Sequence, residues 1–560
     1  MKMDRRRFMQ WLGSAGAASM VMPAMASGQS PEAISDEVLT QAASVLGLEF
    51  TPSERELMLQ GVKDQLENYK GLRALNIGNE VAPAIHFSPL LGNQSPPKAP
   101  RRKPKNKPTK PTLRTAPREE KLAFLPLTEL GGLLRRGVVT STQLTRMYLL
   151  RLKRHDATLK CVVNLTEQRA LNQARQADEE LRRGVDRGPL HGIPWGAKDL
   201  LTARGAPTTW GAETHKNQVL QEEATVVKKL DEAGAVLVAK LSVGALAWGD
   251  VWFGGVTKNP WNPEQGSSGS SAGPASAVVA GLVGFAIGTE TLGSIISPSQ
   301  RCGATGLRPT FGRVSRHGCM ALSWTMDKIG PICRNVEDAA LVFDAIHGSD
   351  GHDEAVIDAP FTWDASKGIE GLRIGYDRAS FEGENPDKPF EEQALKTLRR
   401  MGAKLVPVTL PEMNAGNLLI ILTAEAAAAF DDLTRSNRDD ELTRQVAQAW
   451  PNVFRTARLI PAVEYIQANR ARRLLMKQFA AAIDEVDVFV HSTYGSSALV
   501  MANLTGQPAI VVPNGFRSDG TPASISFTGQ LFGEQLLLNV AKAFQEQTPN
   551  FNRRPPKYLS

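Results

Sequence analysis

Between Thr51 and Leu72 the apolar residues Leu57, Met58, Val62, Leu66 and Leu72 recur at helical spacing. Thr51-Pro52-Ser53-Glu54 ahead of them is a capping box with proline at the first helical position, so a small helical module is expected over 27–80. From Phe124 onward the pattern changes to an alternation. Thr140-Ser141 starts a helix through Leu144, Met147 and Leu150. A helix over 226–233 precedes the apolar run Ala235-Val-Leu-Val-Ala239, and Val488-Phe-Val490 and Ala509-Ile-Val-Val512 are similar short runs. Short apolar strands between helices predict a mixed α/β sheet covered on both faces. Leu536–Phe544 reads as a closing helix, and the Pro/Arg-rich tail, 546–560, as loosely ordered.

One stretch breaks the alternation. Residues 95–121 hold ten Lys or Arg against two Glu, a local excess larger than the net charge of +7 of the whole 560-residue chain. The basicity therefore belongs to a Pro/Lys-rich linker, 81–121, and not to the fold. Such a segment stays extended and buries no core. It reads as a solvated strap, with weak contact to an anionic surface through 98–121 as the functional alternative. Nucleic-acid-binding patterns are absent, and with 42% hydrophobic and 22% charged residues the rest is ordinary globular sequence. The four cysteines lack C-x-x-C spacing and no His pair has metal-ligand spacing, so neither a metal nor another cofactor is expected.

The N-terminus reads as an export signal. Arg5-Arg6 is followed by Phe8, a Gly/Ala-rich apolar stretch from Trp11 to Met22, and Ala24-Met25-Ala26 before Ser27. That order is a twin-arginine signal peptide, 1–26, and periplasmic or secreted residence is expected. The apolar stretch is too short for a membrane span, and no later run is long enough.

Two stretches carry candidate chemistry. Gly288-Thr-Glu-Thr-Leu-Gly-Ser-Ile-Ile-Ser-Pro298 follows a segment of almost pure Gly, Ser and Ala, 266–277. A serine there, Ser294, preceded by free backbone N–H groups, has the parts of an acyl-transfer site: a nucleophile and donors for an oxyanion. Upstream, His191-Gly-Ile-Pro-Trp-Gly-Ala-Lys-Asp-Leu200 sets Lys198 in an apolar, Gly-rich context. A lysine buried there loses proton affinity and can serve as a base near neutral pH.

With Asn259-Pro-Trp-Asn262, Gly303-Ala-Thr-Gly-Leu-Arg-Pro-Thr-Phe-Gly-Arg313 and Gly506-Gln-Pro-Ala-Ile-Val-Val-Pro513, these stretches resemble the amidase signature family over residues 122–545. The resemblance implies an α/β fold with a large mixed, mostly parallel β-sheet covered by helices on both faces. It implies hydrolysis of linear carboxylic amides through an acyl-enzyme. Ser294 would be the nucleophile, Ser270 on a cis peptide the proton relay and Lys198 the base. Backbone N–H groups of Thr291, Leu292, Gly293 and Ser294 would form the oxyanion hole, with Ser271 and Glu290 in support. Ser267 competes with Ser270 for the relay, but counting from Ser294 and from Trp261 both favours Ser270.

The chain departs from the family pattern at Leu292, where Gly is usual, and at Ile296, where Arg is usual. Glu290 then needs another cation, and Arg301 is the expected substitute, with exposure of Arg301 on a turn as the alternative. Trp210, Trp248, Trp252, Phe253, Trp324 and Met326 are candidates for an aromatic substrate pocket; about half of such residues are simply core. Two other functions stay open: an amidotransferase A-like subunit, which an export signal disfavours, and a non-catalytic binding protein on the same scaffold. The substrate is a small-molecule or peptide amide, with no nucleic acid and no transmembrane segment involved.

Overall fold

The computed structural model describes residues 34–75, 77–83, 85, 87–92, 94–98, 106–493 and 496–559. The stretch 1–26, expected to be an export signal, and the centre of the basic stretch lie outside the described residues. Two compact units emerge, 1–76 and 77–560. In the first, the helices Asp36–Val45 and Pro52–Arg73 form a pair. Both partners of the capping box at Thr51 and Glu54 are bonded, and Arg55 reaches back to Asp36 at 2.6 Å.

The second unit is built on one eleven-stranded sheet. In chain order its strands are β1 (Val162–Leu165), β2 (Pro194–Lys198), β3 (Val236–Leu241), β4 (Phe285–Glu290), β5 (Thr305–Arg308) and β6 (Lys328–Cys333). They continue as β7 (Arg373–Asp377), β8 (Lys404–Val408), β9 (Val488–Ser492), β10 (Ala509–Phe516) and β11 (Pro522–Gly529). Their order across the sheet is β1-β3-β2-β4-β6-β5-β10-β11-β9-β7-β8. Every residue of β2 to β6 is buried. Because successive side chains point to opposite faces, both faces must be covered, as the apolar runs predict.

The expectation of a mostly parallel sheet is corrected. Four of the ten strand pairings are parallel and six antiparallel. The parallel ones are β2 with β3 and β4, and β7 with β8 and β9. The middle of the sheet is antiparallel because the chain reverses there: the long loop 309–327 brings it back as β6, and a short turn at 517–521 folds β10 onto β11. The parallel trio β3-β2-β4 positions the site. Trp195 and Phe285 stack with centroids 5.9 Å apart across β2 and β4, so the last residues of both strands emerge side by side.

Two stretches rich in Pro and basic residues are tied down. Residues 106–113 run extended along the unit: Lys107 N donates to Trp363 O, Thr109 Oγ1 to Glu337, and Thr112 N to Glu129. The other, the tail read as loose from its Pro/Arg composition, is anchored by Tyr558, whose side chain is fully buried. Arg151, in the helix Ser141–Leu159, donates to the Tyr558 carbonyl at 2.8 Å, and His155 packs edge-on against the ring. No protein partner meets the Tyr558 hydroxyl among the described residues. Tyr558→Ala should therefore cost about 3–5 kcal/mol in urea unfolding, the cavity cost of a buried aromatic. Tyr558→Phe should cost almost nothing, since it removes only an unsatisfied hydroxyl.

Candidate active site

Lys198 ends β2, and its side chain is wholly buried. Nζ lies 2.8 Å from Ser270 Oγ, 2.8 Å from Thr289 Oγ1 and 3.2 Å from Thr289 O. Burial lowers its pKa to about 7, and the more distant Asp327 and Glu290 offset this only in part. The three oxygens can accept all three N–H bonds of the ammonium. Once a proton is lost, two N–H bonds remain for Thr289 and the lone pair is free to take the Ser270 proton.

Ser270 follows a cis peptide bond from Gly269. The loop is close-packed, because a Cβ on Gly269 would sit 1.8 Å from Gly249 O. Ser271 then joins it to two neighbours. Its N–H donates to Ser294 O at 3.0 Å, its hydroxyl donates to Thr289 O at 3.1 Å, and Thr289 N donates back to that hydroxyl at 3.2 Å. Lys198, Ser270 and Ser294 are thus brought into one locked arrangement. Ser267 faces elsewhere and donates to Ser268 O.

The loop 291–294 links β4 to the helix Ile296–Cys302. Among the described residues no protein acceptor meets the N–H of Thr291, Leu292, Gly293 or Ser294. The next two, on Ile295 and Ile296, both donate to Glu290 Oε2, at 2.8 and 3.0 Å. The Glu290 carboxylate therefore spans the loop and fixes where the free donors end. Gly293 carries the loop's positive φ, +81°, so Leu292 needs no left-handed backbone and is accommodated. Thr291 Oγ1 donates to Asp327 Oδ1 at 2.6 Å, holding the start of the loop.

The pairing of Glu290 with Arg301 is corrected. Arg308, at the end of β5, donates to Glu290 Oε1 at 2.8 Å, and both side chains are wholly buried. Asn503 Nδ2 donates to the same oxygen at 2.9 Å. With these donors the Glu290 pKa falls to about 2 despite burial. Arg301 is exposed, at the far end of the helix Ile296–Cys302. Ile296, in place of the usual Arg, packs against Ala509 and Val511. Arg308 lies in one of the motifs that carry the family resemblance, a lone charge in an apolar strand. That signal could have named it.

The aromatic candidates divide. Trp210, Trp248 and Trp324 share one apolar cluster with Leu200, two residues beyond Lys198, and with Leu322. Phe430, Trp450 and Phe454 complete it: Trp450 meets Trp248 at 4.5 Å and Phe430 meets Trp210 at 6.0 Å. Sequence reasoning missed these three, which come from helices 420–457 with no local motif to mark them. Met326 belongs to another cluster, with Phe489 and Phe479. Trp252 is turned to Lys160 O, with Phe253 against it. Those three leave the pocket set. Asp199, beside Lys198, accepts from Thr209 N and pairs with buried Lys240 at 2.7 Å.

Arg308→Ala should strand the Glu290 carboxylate and cost about 3–5 kcal/mol, as breaking a buried pair does. Adding Glu290→Gln should recover part of that loss, because no charge is then left unpaired. Chemical unfolding of the two single variants and the double variant measures both. Arg301→Ala should leave stability within about 0.5 kcal/mol of the parent, as an exposed substitution does.

Comparison with known proteins agrees with this geometry. A family model described as Amidase matches residues 143–499. The A-type glutamyl-tRNA(Gln) amidotransferase subunit of Methylococcus capsulatus is 34% identical over 478 residues, 77% of this chain and 98% of that protein. The structure of peptide amidase from Stenotrophomonas maltophilia is similar with a TM-score of 0.71 at 32% identity, covering 79% of this chain and 100% of that one. A bacterial aryl acylamidase, at 20% identity and a TM-score of 0.69 over 78% of this chain and 98% of that one, shares the fold. Matched by the family model over more than half its length, the chain belongs to the amidase signature family of amide hydrolases.

Proposed function

We propose that the chain is an exported amidohydrolase in which Ser294 attacks the amide carbonyl while Ser270 and neutral Lys198 carry the proton. The observation that supports this most is the buried Lys198 amine, 2.8 Å from Ser270 Oγ, on a loop bonded to Ser294. The Ser294 proton passes to Ser270 as the proton of Ser270 passes to Lys198 Nζ. The carbonyl oxygen becomes an oxyanion facing the free N–H groups of the 291–294 loop. On collapse the C–N bond breaks, and the Lys198 ammonium returns its proton through Ser270 to the departing amine. Water then repeats the sequence on the acyl-enzyme and frees the acid.

The aromatic cluster beside Leu200 favours an amide with an apolar or aromatic group next to the scissile bond. The peptide amidase likeness points the same way, toward amides of peptides or amino acids. The amidotransferase subunits, almost whole within this chain, support a second reading in which the chain serves a complex. Hydrolysis of a phenylalanine or leucine amide by the isolated chain, at higher kcat/KM than a glycine amide, is expected. Dependence on a partner protein for all turnover would favour the second reading.

Ser294→Ala should abolish turnover and labelling by a fluorophosphonate while leaving the unfolding transition in place. For Lys198 the active form is deprotonated and the folded pKa is about 7, below the ordinary 10.5. kcat/KM should therefore climb about tenfold per pH unit below that value and level off above it. Lys198→Ala should lose this limb, and should lose more activity on amides than on activated esters, whose leaving groups need no proton. The export reading rests on the sequence at 1–26. Changing Arg5 and Arg6 together to Lys should leave unprocessed chain in the cytoplasm, detected by fractionation and N-terminal sequencing.

A further inference from the structure

The segment ahead of the family-matched region reaches the site from outside it. The side-chain amide of Asn79 clasps both backbone polar groups of one residue: Oδ1 accepts from Ala321 N at 2.8 Å and Nδ2 donates to Ala321 O at 2.8 Å. Nδ2 also lies 3.4 Å from the carbonyl of Ala429, beside Phe430 of the aromatic cluster. Ala321 sits in the loop 319–327, which borders the site at both ends. At its start, Cys319 pairs with Leu201 in a single antiparallel bridge and Met320 N donates to Leu200 O at 3.0 Å, just beyond Lys198. At its close, Asp327 Oδ2 accepts from Leu322 N and Ser323 N at 2.8 and 2.9 Å, and its other oxygen accepts from Thr291 Oγ1.

A second side chain of the same segment grips the same loop. The Phe87 ring lies 3.5 Å from the buried guanidinium of Arg472, which donates to Thr325 Oγ1 and Thr325 O, each at 2.9 Å. Phe87 also packs edge-on against Phe311, in the motif that carries Arg308. Asn79 directly and Phe87 through Arg472 thus hold the loop, and Asp327 links it to Thr291.

We propose that Asn79 is a positioning residue for the reaction, and that Asn79 and Phe87 form a brace fixing the 291–294 oxyanion loop through Ala321, Asp327 and Thr291. The proposal rests on Ser294 being the nucleophile and 291–294 the oxyanion loop. The physical reason is geometric. Oxyanion donors act only when aimed at the position the charge will occupy, and small misplacements are expensive. A two-point clasp on the N–H and C=O of one residue holds the two peptide units that flank it, which a single hydrogen bond does not. Losing the clasp leaves the fold intact but lets the support of Thr291 drift.

The test compares Asn79→Ala, Thr291→Val and the double variant in the full mature chain. Kinetics are normalised to the titrated concentration of reactive serine. Asn79→Ala should lower kcat about three- to tenfold, the usual size of coupling through a packed network, at unchanged KM and unchanged melting temperature. The rate of fluorophosphonate capture should fall by the same factor. On the Thr291→Val background, where the link is already cut, Asn79→Ala should have little further effect. Phe87→Ala should reproduce the loss in kcat. Wild-type kcat in Asn79→Ala, full multiplication of the two effects, or a loss that follows only a lower melting temperature and fewer titratable sites would overturn the brace. Turnover surviving in Ser294→Ala would remove the nucleophile itself, a failure distinct from these.

Discussion

An ammonium group whose close partners are hydroxyls and a carbonyl cannot hold its proton tightly once water is excluded. That constraint on Lys198 shapes the rest of the site. Its strand ends in the middle of the parallel trio, and its amine is wholly buried. No carboxylate is among its hydrogen-bond partners, only Ser270 and Thr289. Desolvation therefore lowers its pKa to about 7, and the neutral form becomes available where the enzyme must work. A carboxylate in place of Thr289 would hold the proton on nitrogen and remove the base.

One strand away the opposite outcome is built from the same burial. Glu290 is as deeply enclosed as Lys198, yet it keeps its charge because four donors converge on its two oxygens. Two of those donors are the backbone N–H groups that follow Ser294. Among the described residues the preceding N–H groups of the loop meet no protein acceptor. Neighbouring strand ends thus carry one group whose proton burial loosens and one held ionised. Asp199 and Lys240 form a further closed pair beside them, so that the charge of Asp199 is matched by Lys240. Lys198 is left as the titrating amine because its charged neighbours are satisfied elsewhere.

What the sequence disclosed follows the range of the interaction. Ser294, Ser270 and Lys198 sit in local runs whose Gly, Ser and apolar residues announce a close-packed loop and a buried strand end. The capping box at Thr51 and the helix start at Thr140 are equally local, and both are formed. Arg308 was missed because its nearness to Glu290 depends on sheet order: β5 joins the sheet beyond β6, and only the fold brings its arginine across. Arg301 looked better because it was closer in sequence, yet the helix between carries it away from Glu290. The mostly parallel expectation failed similarly, since strand direction is set by connections that apolar runs do not encode. The aromatic set was half legible. Three Trp converge, but their partners Phe430, Trp450 and Phe454 lie far along the chain.

The tail and the strap show composition misleading in another way. Pro, Lys and Arg predict a chain that buries no core of its own, and that holds for 106–113, which runs extended. It does not follow that such a chain is unattached. Its backbone groups still need partners, and Glu129, Glu337 and the Trp363 carbonyl supply them at separate points along the unit. A few spaced anchors are enough, since each intervening residue needs only to remain solvated. Tyr558 does the same for the C-terminus with one buried ring. A segment held at points transmits position to whatever it holds without needing a core. Asn79 and Phe87, meeting the loop 319–327 at Ala321 and through Arg472, are contacts of this kind placed where position bears on chemistry.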